Sequence, residues 1–408
     1  MIKRIFLVLL AILFNSFIFA AEKPFFLRGI RTLGMGGPYT AVANDQNAFF
    51  YNPAGVTSRK NYLFTLAEIR VGVSEDFLEF VQWLDDNQDD LENFDSDDSN
   101  KLTKERKAEL RRDISNEIST YKNTLSISAP NFNYISGPLG IDGTTFWGLG
   151  IFDNVEASFK MEEAGLLVPE LEVKGNADLA GIFLLSHKFD KISAGLNVKY
   201  LARVSFLEKK SVLLLDEIDD PILQPGKGWG VDVGLNYDLA DNLKIGMMVS
   251  DIGATKIDYG KVDDDDLTDN YDDSRSARSD LIYPRVNFGV AYKPLKEWFN
   301  VLFVPDVSLA LDFRDITDED GDGEIEDVAE FLKKTHMGAE FTWKFLSGRI
   351  GLNSGYPTAG IGFYLWALKF DYAYYTDEKG MYPGDSPESF HMASVSLRFG
   401  ETVKKDRL

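Results

Sequence analysis

The densest group of chemically capable side chains is the acidic run Asp318–Glu330, reading DEDGDGEIEDVAE. Asp318, Asp320 and Asp322 hold the first, third and fifth places of an oxygen-ligand calcium loop. Gly323 supplies the sharp turn, Glu324 is a further candidate ligand and Ile325 is the apolar anchor. The closing ligand is out of step, because Ala329 holds the twelfth place and Glu330 comes one residue late. Two readings stay open: a calcium site, or a solvated acidic turn. Calcium is the one candidate ion, and no cofactor is required.

The other reactive types form no catalytic constellation. Cysteine is absent, which excludes disulfides and thiol chemistry. The three histidines, His187, His336 and His391, all fall in or at the end of strand-like segments, and no nucleophile elbow of the Gly-x-Ser-x-Gly type occurs. Gly34, Gly36 and Gly37 do not complete a dinucleotide fingerprint, since Tyr39 stands where its last glycine belongs. The chain reads as a non-enzyme. Its formal net charge of −22 argues against a nucleic-acid partner. That charge is gathered in Asp85–Asp98, Asp263–Asp273 and Asp315–Asp327, a pattern usual for solvated loops.

The elements that must carry these residues are strands. Met1–Ala21 has a basic start, a short apolar core and small residues at its end, the layout of an export signal. Beyond it no window is apolar enough for a spanning helix, so an exported chain of this kind is either soluble or a barrel. From residue 61 to 399, alternating segments recur. In Gly228–Leu239, Trp229, Val231, Val233, Leu235 and Tyr237 share one face, and Gly230, Asp232, Gly234 and Asn236 the other. The pattern gives about fourteen strands, with tight turns at one end and long loops (74–117, 157–170, 205–227, 254–280, 315–335, 377–389) at the other. Aromatics crowd the strand ends on the apolar face, among them Trp229, Tyr237, Tyr292, Trp343, Trp366, Tyr372 and Tyr374, as at a membrane–water boundary. The opposite face carries Asp232, Arg285, Asp306, Asp312, Arg314, Glu340, Lys344 and Arg349, which predicts interior ion pairs.

The expected fold is therefore all-β: a transmembrane antiparallel barrel of about fourteen strands. Its outer loops carry helical insertions, with Phe77, Leu78, Val81 and Leu84 on one helical face and Leu110, Ile114 and Ile118 on another. Phe77–Leu84 and Val212–Leu215 read equally as landing surfaces for a hydrophobic ligand or as loop packing.

One stretch fits neither strand nor long helix: Leu33–Gly55, reading LGMGGPYTAVANDQNAFFYNPAG. Its glycines permit sharp turns and close backbone approach, and Asn52-Pro53 marks a turn. Gly34-Met35-Gly36-Gly37, Asp45 and Asn52-Pro53-Ala54-Gly55 resemble the N-terminal signature of the FadL–TodX family of outer-membrane transporters, including PorV-type and spirochaetal relatives. The quoted motif runs over about one-twentieth of the chain, within an N-terminal segment, residues 22–60, that is about one-tenth of it. The resemblance implies a hatch (residues 22–60) plugging the barrel (61–399), followed by a periplasmic extension (400–408). It also implies a diderm outer-membrane location among outer-membrane lipids. The implied activity is uptake of fatty-acid-like or other hydrophobic molecules, with lateral exit at a kinked strand. Gly148, Gly150, Asp153 and Asn154 of the third strand are the candidate kink, since glycine and Asp/Asn weaken a ladder. The PorV-type relatives imply an alternative, a docking barrel with a secretion-machinery protein as partner; a structural surface protein is a third reading.

Overall fold

The computed structural model describes residues 28–93, 102–117, 123–131, 134–140, 142–164, 168–211, 222–261, 277–294, 306–314, 328–378 and 384–400. The segment read as an export signal, the acidic loop with Asp318, Asp320, Asp322 and Glu324, the Val212–Leu215 stretch and most of the C-terminal extension lie outside them.

Seventeen strand segments form one antiparallel sheet. They are β1 (Leu63–Ser74), β2 (Asn123–Asn131), β3 (Tyr134–Leu139), β4 (Thr145–Ala164), β5 (Val168–Phe189), β6 (Ile192–Ser211), β7 (Ile222–Ala240), β8 (Leu243–Ser250) and β9 (Thr255–Tyr259). They continue as β10 (Arg278–Ile282), β11 (Arg285–Tyr292), β12 (Asp306–Phe313), β13 (Thr335–Trp343), β14 (Leu346–Asn353), β15 (Tyr356–Leu365), β16 (Leu368–Glu378) and β17 (Pro387–Phe399). Three pairs of segments are single staves with a break. β2 and β3 both lie between β1 and β4. β8 and β9 both pair β7, and face β11 and β10 respectively. With β17 returning to β1, the result is a closed barrel of fourteen strands, as the alternation predicts.

Closure removes the exposed edges that would otherwise need protection. The break after β8 has a visible cause. Asp251, Gly253 and Ala254 take positive φ there, and the Asp232 carboxylate accepts the Asp251 backbone N–H at 2.9 Å.

The polarity of the wall is inverted relative to a soluble protein. Leu149, Leu179, Phe183, Leu196, Leu235, Leu309, Ile350, Ile361 and Val395 are exposed on the outside, while Ser186, Asn197, Asp232, Glu340 and Arg349 are buried inside. No helix among the described residues is long and apolar enough to cross a membrane. The outer belt is what lipid requires, because every backbone group is satisfied within the closed ladder. Aromatics border it. At the tight-turn end Phe345 meets Phe363 at 5.3 Å, Phe399 lies between Phe64 and Trp366, and Trp366 is 85% exposed. Toward the loop end, Trp229 packs on Tyr200 at 4.9 Å.

Two expectations change. Lys344 does not face the lumen: it sits at φ 53° in the turn between β13 and β14, over the Trp343 ring. The loop end also holds more sheet than the alternation suggests, because β4, β5, β6 and β7 run 20, 22, 20 and 19 residues. A tilted spanning strand needs only about 9–11, so these hairpins rise well beyond the apolar belt. Past it neither face must be apolar, and the sequence loses the contrast that marks a strand.

The insertion after β1 forms α3 (Glu75–Glu92) and α4 (Lys104–Glu117). Two shorter helices, α1 (Ile30–Gly34) and α2 (Ala48–Tyr51), precede β1, and α5 (Val328–Lys333) precedes β13. Trp83 packs on Leu102 and Leu110, and Arg106 reaches Asp90 at 2.7 Å, while Leu78 and Val81 stay exposed.

Ile350, at the middle of the short strand β14, tests the lipid belt. Ile350→Arg is expected to lower barrel stability by about 2–4 kcal/mol, read by reversible unfolding in lipid vesicles. A change within 0.5 kcal/mol would place Ile350 away from lipid.

Candidate functional site

The candidate site is the lumen and the segment that fills it. Arg28–Ser58 folds into α1, α2 and a short 3-10 helix, Pro53–Ser58, all held inside the barrel. α1 ends where Gly36 and Gly37 adopt φ 83° and 102°. Their N–H groups return to the carbonyls of Leu33 and Thr32, both at 2.9 Å, in a glycine-dependent helix stop. The 3-10 helix begins with Pro53, whose missing N–H costs nothing at a first helical position.

The wall receives this segment through paired glycines. Gly338 lies opposite Gly351 across the β13–β14 ladder, and a Cβ on Gly338 would fall 1.7 Å from the Met35 carbonyl oxygen. Gly246 lies opposite Gly289, beneath Thr40 and Ala41. Gly195 lies opposite Gly234; a Cβ on Gly195 would meet Ala54 N at 2.4 Å, and one on Gly234 would meet Asn52 Oδ1 at 2.1 Å. Gly34 likewise rests on Gly360, and Gly55 against the Ala43 carbonyl within the hatch. At these places backbone meets backbone or a side-chain amide, and no larger residue fits.

Asn52 is the central polar contact. It is fully buried, and its amide NH2 points at the Thr40 carbonyl (2.9 Å), the Leu235 carbonyl (3.1 Å) and Asn236 Oδ1 (2.9 Å). Its Oδ1 accepts from the Ala54 N–H at 3.0 Å. Around it the Ser186 hydroxyl donates to the Pro53 carbonyl at 2.6 Å, and the Asn197 amide donates to the Phe49 carbonyl at 2.8 Å.

Across the lumen the hatch is held by charge. The Arg31 guanidinium spans Glu340 and Asp45, and Glu340 also accepts from Arg349, which continues to Asp371 at 2.7 Å. The Asp312 carboxylate accepts the backbone N–H groups of Tyr39 and Thr40, both at 2.7 Å. Gln46 donates to Glu68 at 2.6 Å, and Glu68 is flanked by Arg70 and Arg398. His336 Nδ1 lies 3.1 Å from the Gly36 carbonyl oxygen. A further bridge inside the wall joins Lys199 to Asp232 (2.8 Å) and Asp251 (2.7 Å). The expected interior ion pairs are thus present at Asp232, Glu340 and Arg349, and Asp312 serves the hatch backbone instead. The Asp306 side chain lies outside what is described.

Asp45 anchors the hatch internally. It accepts from the Asn47 backbone and side chain, both at 2.9 Å, and from the Tyr39 hydroxyl at 3.0 Å. Burial disfavours its charged form, but the Arg31 guanidinium, with Lys369 and Arg398 beyond, holds its pKa well below the usual carboxylate range.

The β3–β6 side of the lumen also holds an apolar cluster, beside the Lys199–Asp232 and Arg203–Asp178 pairs. Phe49 and Phe50 of α2 pack into a buried cluster with Tyr134, Phe146, Phe152, Ile182 and Leu201 of the wall. Gly148, one of the candidate kink residues, makes room there: a Cβ on it would lie 2.8 Å from Phe49 Cζ. β4 itself pairs β5 without interruption from Thr145 to Ala164. On its other side the described ladder pairs end at Gly150, opposite Tyr134, and resume at Val155, opposite Ile127. Across that gap the Ser126 hydroxyl donates to Asn154 Oδ1 at 3.0 Å, and the Ser128 hydroxyl to the Asp153 carbonyl at 2.8 Å.

The paired wall glycines and the two serines were not singled out from the sequence. Glycines recurring on the polar face of neighbouring strands were a usable signal, but their pairing needs a register. Among the described residues, no group of three or more His, Asp or Glu is arranged to hold a metal.

No protein-family model matches the chain, and no curated protein matches it. Among solved structures it is similar to the toluene transporter TodX of P. putida (13% identity, TM-score 0.48), which covers 91% of this chain and 98% of that one. It is also similar to the toluene transporter TbuX of Ralstonia pickettii (12%, TM-score 0.47, 91% and 97%). A Pseudomonas aeruginosa FadL homologue is similar at 11% identity and TM-score 0.46, with 92% and 99% covered.

Asn52→Ala is expected to loosen the hatch by about 2–3 kcal/mol, since it strands several buried partners. Protease cleavage within residues 28–58 should appear while the barrel keeps its heat-resistant gel mobility; an uncut hatch would remove Asn52 from this role. The Asp45 carboxylate has a depressed folded pKa, so its stabilisation is complete above the unfolded value of about 3.9 and fades as pH falls below it. Amide protection at Tyr39–Asn52 is therefore expected to hold from neutral pH to about 5 and to drop below 4. Asp45→Asn should lower protection at neutral pH by about 2 kcal/mol and flatten that profile; an unchanged profile would assign the acid sensitivity elsewhere.

Proposed function

We propose that the chain is an outer-membrane channel that admits hydrophobic molecules, with residues 28–58 as its gate. The observation that carries this reading is a lipid-belted barrel whose lumen is closed by a folded segment of its own chain, with an apolar cluster beside an interrupted ladder. A porin for polar solutes would keep a water-filled lumen. Here the lumen is occupied by buried ion pairs and by aromatic rings.

The proposed cargo is fatty-acid-like or another hydrophobic compound. It enters at the loop end, where the long β4–β7 hairpins rise beyond the lipid belt, and settles among the apolar wall residues once the hatch shifts. The proposed exit is sideways, between Asp153–Asn154 of β4 and Ser126–Ser128 of β2. In this reading the tight turns face the periplasm of a diderm cell.

Cells lacking their own hydrophobic-uptake channels are the test. Expression of the chain should restore uptake of radiolabelled toluene or dodecanoate at least fivefold over empty vector. The purified protein in planar bilayers should conduct small ions far less than an open porin, because the hatch fills the lumen. Uptake of neither compound would overturn the reading.

A further inference from the structure

The outer face of β7 changes character at one residue. Tyr237, Leu235, Val233, Val231 and Trp229 point outward, alternating with buried Asn236, Gly234, Asp232 and Gly230. A tilted strand crosses the apolar layer in about 9–11 residues. The stretch from Trp229 to Tyr237 fits that length, with an aromatic ring at each end. The next outward position toward the loop end is Lys227, which is exposed.

β9 sets a second lysine beside it. Lys227 lies opposite Asp258 and Gly228 opposite Ile257, so Lys256, one residue earlier, falls at the level of Trp229. Lys256 Nζ and Asp258 Oδ1 are 2.7 Å apart, both side chains more than half exposed. The Ser279 hydroxyl of β10 donates to Asp258 at 2.6 Å. Lys227 and Lys256 thus flank a single carboxylate, and the group keeps a net positive charge. Trp229, 67% exposed, packs on Tyr200 of β6 at 4.9 Å directly beneath.

This local sign runs against the chain, whose formal net charge is −22 and whose long loops at this end are acidic. On the far wall the aromatic border is different: Tyr372 and Tyr374 surround His391, whose Nε2 lies 3.6 Å from the Glu75 carboxylate. Lipid headgroups begin at the height where the apolar layer ends, and tryptophan and tyrosine rings favour that height. A phosphate monoester there carries about −1.5 to −2 charges at pH 7 and accepts several donors at once. Lysines held beside a membrane surface attract such groups.

We propose that Lys227, Lys256 and Trp229 form a seat for a phosphorylated lipid of the outer leaflet. The phosphate lies between the two ammonium groups, and the acyl chains run down the outer face over Val231, Val233 and Leu235. Asp258, steadied by Ser279, fixes where Lys256 stands. The lipid thereby braces the wall where β7 meets the broken β8–β9 stave. The seat is outside the barrel, so it goes beyond the channel reading and does not depend on it.

Native mass spectrometry of the detergent-solubilised full chain is the test, with bisphosphorylated lipid A as probe and its dephosphorylated form, equal in acyl chains, as comparison. The unaltered protein is expected to retain the phosphorylated form about tenfold better, the preference that two membrane-facing lysines supply when one carboxylate offsets them. Lys227→Gln with Lys256→Gln should remove that preference, and Lys227→Arg with Lys256→Arg should keep it. Lys344→Gln, which alters an exposed lysine over the Trp343 ring at the opposite end of the barrel, should change nothing. Excess inorganic phosphate should leave the lipid in place, because the acyl chains also hold the wall.

Equal retention of the two lipid forms by the unaltered protein would overturn the proposal. A preference that survives the double glutamine variant would do the same. An equal loss from Lys344→Gln would reduce the effect to general attraction between lysine and phosphate. Displacement by inorganic phosphate would give the lysines to a soluble anion and remove the lipid as occupant. Toluene uptake does not pass through these lysines, so failure of the seat leaves the channel standing.

Discussion

A fourteen-strand barrel encloses more space than its own side chains can fill, and the rest of this structure follows from how that space is closed. The filling is backbone laid on backbone. Met35 rests on Gly338 and Gly351, Thr40–Ala41 on Gly246 and Gly289, and Asn52–Ala54 on Gly195 and Gly234. Each contact is between glycines paired across a ladder, so one cross-strand pair makes one shallow depression in the wall. The depressions let the hatch backbone and the Asn52 amide lie against the wall, and a methyl group at several of them would meet an oxygen well inside contact distance.

The two sides of the plug are held by different physics. Toward β13–β17 and β1, the chain Asp45–Arg31–Glu340–Arg349–Asp371 is buried and continuous. Taking one member away leaves a buried charge without its counterpart, an outcome that costs about 3–5 kcal/mol. Toward β3–β6 the hold is aromatic and aliphatic contact, with the Asn197 amide on the Phe49 carbonyl. Apolar contacts can be exchanged for those of another apolar molecule at little net cost, whereas ion pairs cannot. The hatch is therefore held by buried charge on one side and by apolar packing with a few amide bonds on the other.

Much of this was legible before any coordinates. The strands fall where alternation places them, because lipid on one face and a polar interior on the other enforce a strict period of two. Asn52-Pro53-Ala54 stood out because proline and glycine punctuate a chain with neither period. The paired glycines escaped notice for a definite reason: Gly195 and Gly234 lie far apart in sequence, and only the ladder register makes them one depression. The upper parts of β4–β7 were read as loops because no lipid contrasts their faces. Gly148 stood out as a ladder-weakening residue. In the structure it receives the Phe49 ring, and the ladder interruption lies between β4 and its β2–β3 neighbour.

For the proposed channel, two ways out of the lumen differ in the contacts they would break. A hydrophobic molecule continuing past the hatch toward the tight turns must separate Glu68 from Arg70 and Arg398, and Glu340 from Arg31 and Arg349. Each break costs several kcal/mol, and an apolar molecule offers the stranded charges nothing in return. Between β4 and the β2–β3 stave, the described contacts across the gap are the hydroxyl bonds of Ser126 and Ser128. Each is worth about 1 kcal/mol net, and both hydroxyls can turn to other acceptors. Outside that gap are Ile127, Leu149, Ile151 and Val155, all facing the lipid belt. The gap itself is lined by Ser126, Ser128 and Asn154, so a sideways path through the proposed channel would cross neutral polar groups and leave the buried ion pairs intact.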